Sequence, residues 1–195
     1  MHLVGADRFA QQSISGMLEG SSYAIQGYAN PIQFLDRFDA GPGCVVLELR
    51  MPQMSGIELQ ARLGDAKPPL SIVFISDCPD VPSAVQAIKA GALDFLVKPV
   101  TAAALRDAID RAVATDRARR TARADSEQAR ERYATLSPQE RRVCRLAGDG
   151  LLNKQIAWEL DLAEQTVRVY RSRAMRKLGV DNLAHLVRFL VCLDM

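Results

Sequence analysis

Up to Val97 the chain alternates short apolar runs with segments of helical period. HLVG (residues 2–5), YAIQGY (23–28), CVVLE (44–48), LSIVFIS (70–76) and LDFLV (93–97) have the β-branched and aromatic content of strands. Between them Phe9/Ile14/Leu18, Ile32/Leu35/Phe38, Ile57/Leu59/Leu63 and Val81/Val85/Ile88 place apolar residues at helical spacing. This alternation predicts a parallel sheet with helices on both faces, and the continuous runs VVL and SIVFI read as strands buried on both sides. Ligands of such sheets sit outside the carboxyl ends of the strands. Those ends carry Gly5-Ala6-Asp7, Glu48, Ser76-Asp77 and Lys98-Pro99.

The pattern then changes twice. Residues 114–134, ATDRARRTARADSEQARERYA, hold almost no large apolar side chain. Their i,i+4 pairs Asp116/Arg120 and Arg123/Glu127 predict a solvated helix that links two parts of the chain, and a dimerising coiled coil lacks its heptad Leu or Ile. From Leu136 onward the period is purely helical. Ser137-Pro138-Gln139-Glu140 is a capping box with Pro at the first helical position, Val143, Leu146 and Ala147 follow on one face, and Gly148 and Gly150 bracket the exit. Then come NKQIAWEL, EQTVRVYRSRAMRKL and the apolar NLAHLVRFLVCL. Two short helices joined by a tight turn, the later one basic, have helix-turn-helix spacing.

With 195 residues and 48% hydrophobic content the chain can bury two small cores. No apolar stretch approaches the roughly 18 residues of a membrane span and no signal segment opens the chain, so a cytoplasmic protein without membrane contact is expected. Cys44, Cys78, Cys144 and Cys192 form no Cys-x-x-Cys pair and two histidines are too few to complete a zinc site, so the expectation is reduced thiols, no metal and no cofactor. Cys78 lacks a basic flank and reads as inert. The net charge of +2 is unevenly spread: residues 1–113 hold nine Lys and Arg against twelve Asp and Glu, and residues 114–195 hold sixteen against eleven. Only the C-terminal part is suited to a polyanion.

LELRMPQMSGIEL, joined downstream by DVPSAVQAIKAGALDFLVKP, resembles the receiver domain of response regulators of the FixJ type over nearly all of residues 1–113. The resemblance implies an α/β flavodoxin-like (βα)5 fold with strand order 2-1-3-4-5 and a cis Lys98-Pro99 peptide. LSPQERRVCRLAGDGLLNKQIAWELDLAEQTVRVYRSRAMRKLGV resembles the LuxR/FixJ/NarL DNA-binding class, which implies an all-α four-helix domain over 135–195, after the charged helical linker of 114–134.

In that family the third strand ends in an Asp that accepts a phosphoryl group from a histidine kinase. An acidic pair after the first strand holds Mg²⁺, a hydroxyl and a Lys bind the phosphoryl oxygens, and an aromatic ring follows the switch. Ser76, Lys98 and Phe95 match. The acidic pair is Gly5-Ala6, with Asp7 one step beyond, and the acceptor position holds Glu48, whose extra methylene displaces its oxygens from in-line geometry. Asp77 stands where a small residue presents its N–H to the phosphoryl group. These departures predict a receiver that is not phosphorylated, one with no catalytic residue. Glu48 is then a structural acid paired with Lys98, a fixed mimic of the phosphorylated side chain helped by Asp77, or a slow acceptor.

In the basic helix Val167, Ala174 and Leu178 recur at i, i+7 and i+11, which turns Arg168, Val169 and Ser172 to the opposite side. These three match the family's base-facing positions. Arg168 suits guanine O6 and N7, Val169 suits a thymine methyl, and Lys154, Thr166, Tyr170, Arg171 and Arg176 suit phosphates. Ala163 replaces the usual Ser or Thr N-cap at a cost of about 1 kcal/mol unless Asp161 or Glu164 compensates. Trp158 stands where the family has a charged residue; it either docks on another surface or folds over its own helix. The family dimerises through the final helix, which assigns Leu183, Leu186, Val187 and Leu190 to the dimer contact, His185 to its surface, and a pseudo-palindromic duplex to the protein. The expected function is a sequence-specific transcriptional regulator working without Asp phosphorylation, with RNA polymerase or another protein as a candidate partner of the receiver. The alternative is an interaction protein whose receiver binds a protein or small molecule while DNA binding is secondary or blocked.

Overall fold

The computed structural model describes residues 1–5, 8–38, 41–64, 70–77 and 81–193. The chain forms two compact units, Met1–Arg120 and Thr121–Met195.

The first unit runs β1 (His2–Val4), α1 (Arg8–Met17), β2 (Gln26–Tyr28), α2 (Pro31–Arg37), β3 (Cys44–Glu48), α3 (Gly56–Leu63), β4 (Ser71–Ser76), α4 (Val81–Lys89), β5 (Asp94–Val97) and the start of α5 (Ala102–Ala134). Five parallel strands pair in the order β2-β1-β3-β4-β5, as expected. The apolar runs are unbroken because consecutive side chains enter two different cores. Val45, Leu47, Ile72 and Phe74 fill one face with Leu59 and Phe34; Cys44, Val46, Val73 and Ile75 fill the other with Leu105 and Ile109. Helix starts are written locally. Asn30 Oδ1 accepts from the Gln33 amide at 2.8 Å, and Ser55 with Glu58 closes a capping box. Lys98-Pro99 is cis.

Three helices leave outside apolar residues that their spacing assigns to the core. α4 buries Ala87, with Ser83 and Ala84 half-buried, while Val81, Val85 and Ile88 face solvent. Small residues let the helix approach, and the larger stripe is left outside. Phe9 on α1 is 81% exposed, and Ile32 on α2 is exposed too.

The charged stretch 114–134 is helical, as expected, and its two parts belong to different units. In the first unit Asp116 accepts from the Gly43 amide (2.8 Å) and from Arg120 Nε (2.8 Å), and Arg120 Nη2 donates to the Gly41 carbonyl (2.6 Å). In the second, Ser126 Oγ donates to the Cys192 carbonyl (3.0 Å), Ala129 is buried, and Tyr133 packs on the core.

The second unit adds α6 (Pro138–Gly148), α7 (Asn153–Leu160), α8 (Glu164–Leu178) and α9 (Leu183–Leu193). Its core joins Val143, Cys144 and Ala147 to Ile156, Val167, Ala174, Leu178 and Leu186. The capping box forms: Ser137 Oγ accepts from the Glu140 amide (3.3 Å) and Glu140 Oε2 from the Ser137 amide (2.7 Å). Gly148 has a second use, since a Cβ there would lie 2.4 Å from Leu190 Cδ1, so its bare face seats α9. Leu186 is fully buried, which corrects its assignment to the dimer contact, and Leu190 is partly buried against the same core. At 100° per residue, the side of α9 left outside carries Leu183, Val187 and Val191, at i, i+4 and i+8.

Candidate functional site

The strand ends of the first unit bring Glu48, Ser76 and Lys98 together. β3 and β4 pair to the level Glu48↔Ile75, and β5 reaches Ser76↔Val97. The Lys98 amide donates to the Ser76 carbonyl at 2.8 Å, which seats the residue beside β4. Its ammonium crosses to the Glu48 carboxylate, with Nζ to Oε2 at 2.5 Å. The carboxylate is shielded and the lysine more open, so the pair is stronger than an exposed one. Ser76 is buried at the end of β4 and Asp77 is exposed. Phe95 is half-buried and stacks on Phe74, with ring centroids 6.0 Å apart and planes at 22°. Ala6, Asp7 and Cys78 lie outside the described residues.

A divalent cation suits this cluster poorly. Gly5 offers no side-chain oxygen, and its φ of +88° disfavours any residue with a Cβ. A Cβ placed there would lie 2.2 Å from Met51 Sδ and 3.1 Å from Glu48 Cβ. The thioether of Met51 occupies the space a side chain at position 5 would take. Among the described residues no three His, Cys, Asp or Glu converge as metal ligands. In the sequence Met51 stands inside the receiver motif as half of the turn signal Met51-Pro52, which says nothing of its packing beside Gly5.

Cys44 and Cys144 are buried, and burial pushes each thiol up to about 11, which leaves them unreactive near neutrality.

In the second unit α8 follows its sequence pattern. Val167, Ala174 and Leu178 are buried, and Arg168, Val169 and Ser172 are exposed on the other side. Arg168, Ser172 and Arg176 line an open groove with Arg171 and Asn153. Arg171 is half-buried and donates to Asn153 Oδ1 at 3.0 Å, so its guanidinium is held by the preceding helix. Lys154 and Arg176 are exposed; Thr166 is half-buried, and Tyr170 packs on the core with its other side open. Lys177 is tied to Glu140 (2.6 Å) and to the Thr135 carbonyl (3.3 Å), which removes it from the freely presented cations. Ala163 makes no side-chain cap, and Asp161 instead closes α7 in the left-handed region at φ +52°.

Trp158 is 87% exposed, so it does not fold over its own helix. As the single tryptophan it is a direct probe. Its emission should be quenched by acrylamide almost as fast as that of a free tryptophan amide, and protection that grows with protein concentration would mark it as a contact between copies.

Comparison with known proteins bears on both units. Residues 2–110 match the model of the response regulator receiver domain, and residues 134–190 match that of the bacterial regulatory proteins of the luxR family. The transcriptional regulatory protein FixJ of Rhizobium meliloti is 38% identical over 189 residues, covering 96% of this chain and 93% of that protein. The chain belongs to the response regulator family. It is a DNA-binding transcriptional response regulator of the FixJ/LuxR type. The response regulator protein TodT of Pseudomonas putida is 34% identical over 189 residues, covering 96% of this chain and 83% of that one. The response regulator StyR superposes with a TM-score of 0.84 at 38% identity, over 97% of this chain and 96% of that structure. Among the described residues no helix of this response regulator is long and apolar enough to cross a membrane.

Proposed function

We propose that this response regulator binds a specific duplex as a homodimer and that its receiver works without phosphorylation. The observation that carries the second part is the Glu48–Lys98 ion pair under Met51. In this reading the lysine that would bind a phosphoryl oxygen is already engaged by a permanent carboxylate, and among the described residues no ligand set for Mg²⁺ stands beside it. Phe95, packed inward on Phe74, supports a switch held by the fixed charge rather than by a transient one.

Two exposed apolar stripes support the homodimer. One is Val81, Val85 and Ile88 on α4, with Val97 exposed on β5; the other is Leu183, Val187 and Val191 on α9. A stripe of this kind pairs with its own copy about a two-fold axis, and two recognition helices then meet half-sites about one DNA turn apart. Arg168, Val169 and Ser172 read base edges, while Lys154, Thr166, Tyr170, Arg171 and Arg176 hold phosphates.

The test joins chemistry to binding. Incubation of the full-length protein with acetyl phosphate and Mg²⁺ should leave its mass and operator affinity unchanged. Glu48→Gln should weaken operator binding about tenfold while the protein stays folded, because the amide cannot supply the charge that Lys98 meets. A phosphoryl adduct on Glu48, or unchanged affinity in the variant, overturns the reading.

A further inference from the structure

α8 carries five cationic side chains and a single acid, Glu164, which is its first residue. That acid is placed against the arginine assigned above to base reading: Arg168 Nη2 donates to Glu164 Oε1 at 2.8 Å, one helical turn away. Both groups are exposed, so neither is buried out of necessity and neither is needed by the core. The next arginine of the groove, Arg171, is oriented by the neutral amide of Asn153 instead. A carboxylate at the leading end can help start the helix, but it does nothing for the grip on phosphates, because a negative charge there opposes the counterion release that drives non-specific binding.

A G·C pair satisfies this couple most fully. In the major groove guanine presents the acceptors N7 and O6, and its cytosine partner presents the N4 amino donor. Arg168 keeps guanidinium N–H groups beyond the one given to Glu164, and the carboxylate keeps lone pairs beyond those given to Arg168. An arginine and a carboxylate held side by side therefore match a G·C pair, or a guanine beside a neighbouring cytosine. An A·T pair offers adenine N7 and N6 to the same two groups, but the arginine then meets one acceptor where guanine gives it two. Against phosphate alone the carboxylate cancels much of the arginine's attraction.

We infer that Glu164 is a specificity-determining residue: it orients Arg168 toward a G·C pair in the major groove and lowers affinity for DNA that lacks one at that position. The inference rests on the base-reading role of Arg168, so the experiment contains both residues. Full-length wild type, Glu164→Gln, Glu164→Ala, Arg168→Ala and Glu164→Ala/Arg168→Ala are each used to select duplexes from a random pool, and binding is titrated on the wild-type selected duplex and on a scrambled one.

Wild type should require G·C at one position of each half-site, and Arg168→Ala should lose that requirement. Glu164→Ala should bind the scrambled duplex more tightly than wild type does and lower the ratio of selected to scrambled affinity about tenfold, within the range of one good base contact. Its salt dependence should steepen by about one phosphate contact as Arg168 becomes free to take one. Glu164→Gln keeps the acceptor but not the charge and should fall between the two. In the Arg168→Ala background the substitution at 164 should leave the ratio unchanged. If Glu164→Ala changes both affinities by the same factor with the base preference intact, the acid only starts the helix or adjusts bulk charge, and the inference is overturned. If Arg168→Ala keeps the wild-type preference, the base-reading role itself fails and this inference fails with it.

Discussion

Val187→Glu should abolish tight operator binding without unfolding the protein. Val187 is exposed at the centre of the stripe Leu183, Val187 and Val191 on α9, so the substitution removes no core contact. In an isologous pair the middle of such a stripe lies near the two-fold axis, and two glutamates brought together there repel while losing their water. Each DNA-binding unit then binds one half-site alone. Losing the linkage between two half-sites costs a factor of about 10²–10⁴ in affinity without altering any base or phosphate contact. The salt dependence of the remaining binding should fall to about half, since half the phosphates are neutralised. Sedimentation should show monomer at concentrations where the parent is dimeric. Leu186→Ala, one residue away, should behave in the opposite way. Leu186 is fully buried among Val143, Ile156 and Leu178, so its truncation should destabilise the unit by about 2–5 kcal/mol. A Val187→Glu protein that stays dimeric and holds its operator at parental affinity would show that the pairing surface lies elsewhere, with the α4 stripe as the remaining candidate.

These two neighbours also mark where the sequence is legible. Strand positions, the Ser137–Glu140 capping box and the exposed side of α8 all follow from period and turn chemistry, because each depends on residues close together in the chain, whereas the strand order came only with the family resemblance. The turning of α4 and α9 about their axes does not. Both helices are apolar on more than one side, and which side is buried is decided by small residues elsewhere: Ala87 lets α4 approach the sheet, and bare Gly148 on α6 receives Leu190. A count of apolar residues takes Leu186 and Leu190 for surface, although a strict i, i+4, i+8 stripe through Leu183 would have reached Val191. The strand-end cluster is legible in kind but not in content. The missing oxygens at Gly5 and the acid at Glu48 stand in the sequence, whereas the Met51 thioether filling the gap depends on two loops meeting. Glu164 beside Arg168 is an i,i+4 spacing open to anyone reading α8, although the sequence alone offers it as no more than a substitute for the missing cap.

Glu140→Gln should produce the largest stability loss among single changes in charged residues of the second unit, and the loss should vanish in acid. Glu140 is a buried residue, with one carboxylate serving two partners: it accepts from the Ser137 amide at 2.7 Å, which closes the start of α6, and from Lys177 Nζ at 2.6 Å, which ties α6 to the end of α8. The hydrogen bond from Lys177, followed by that from the Ser137 amide, holds its carboxyl below the ordinary glutamate value. A lowered folded-state pKa means that the unfolded chain takes up a proton first on acidification. The stabilisation is therefore complete above the unfolded value of about 4.3 and is lost as pH falls through the folded one. At neutral pH the glutamine variant keeps a weaker cap and releases Lys177, whose exposed ammonium regains water, so the cost is about 1–2 kcal/mol. Calorimetry of the full-length chain should show the variant melting well below the parent at pH 7, with the two curves converging as pH drops below the glutamate range. Adding Lys177→Met to Glu140→Gln should recover part of the loss, because the half-open pair replaced on both sides leaves no charge unmatched beside the buried position 140. A Glu140→Gln protein with the parent's melting curve at pH 7 would mean that the contact between α6 and α8 rests on the apolar core alone, and that the end of the recognition helix is positioned without this ion pair.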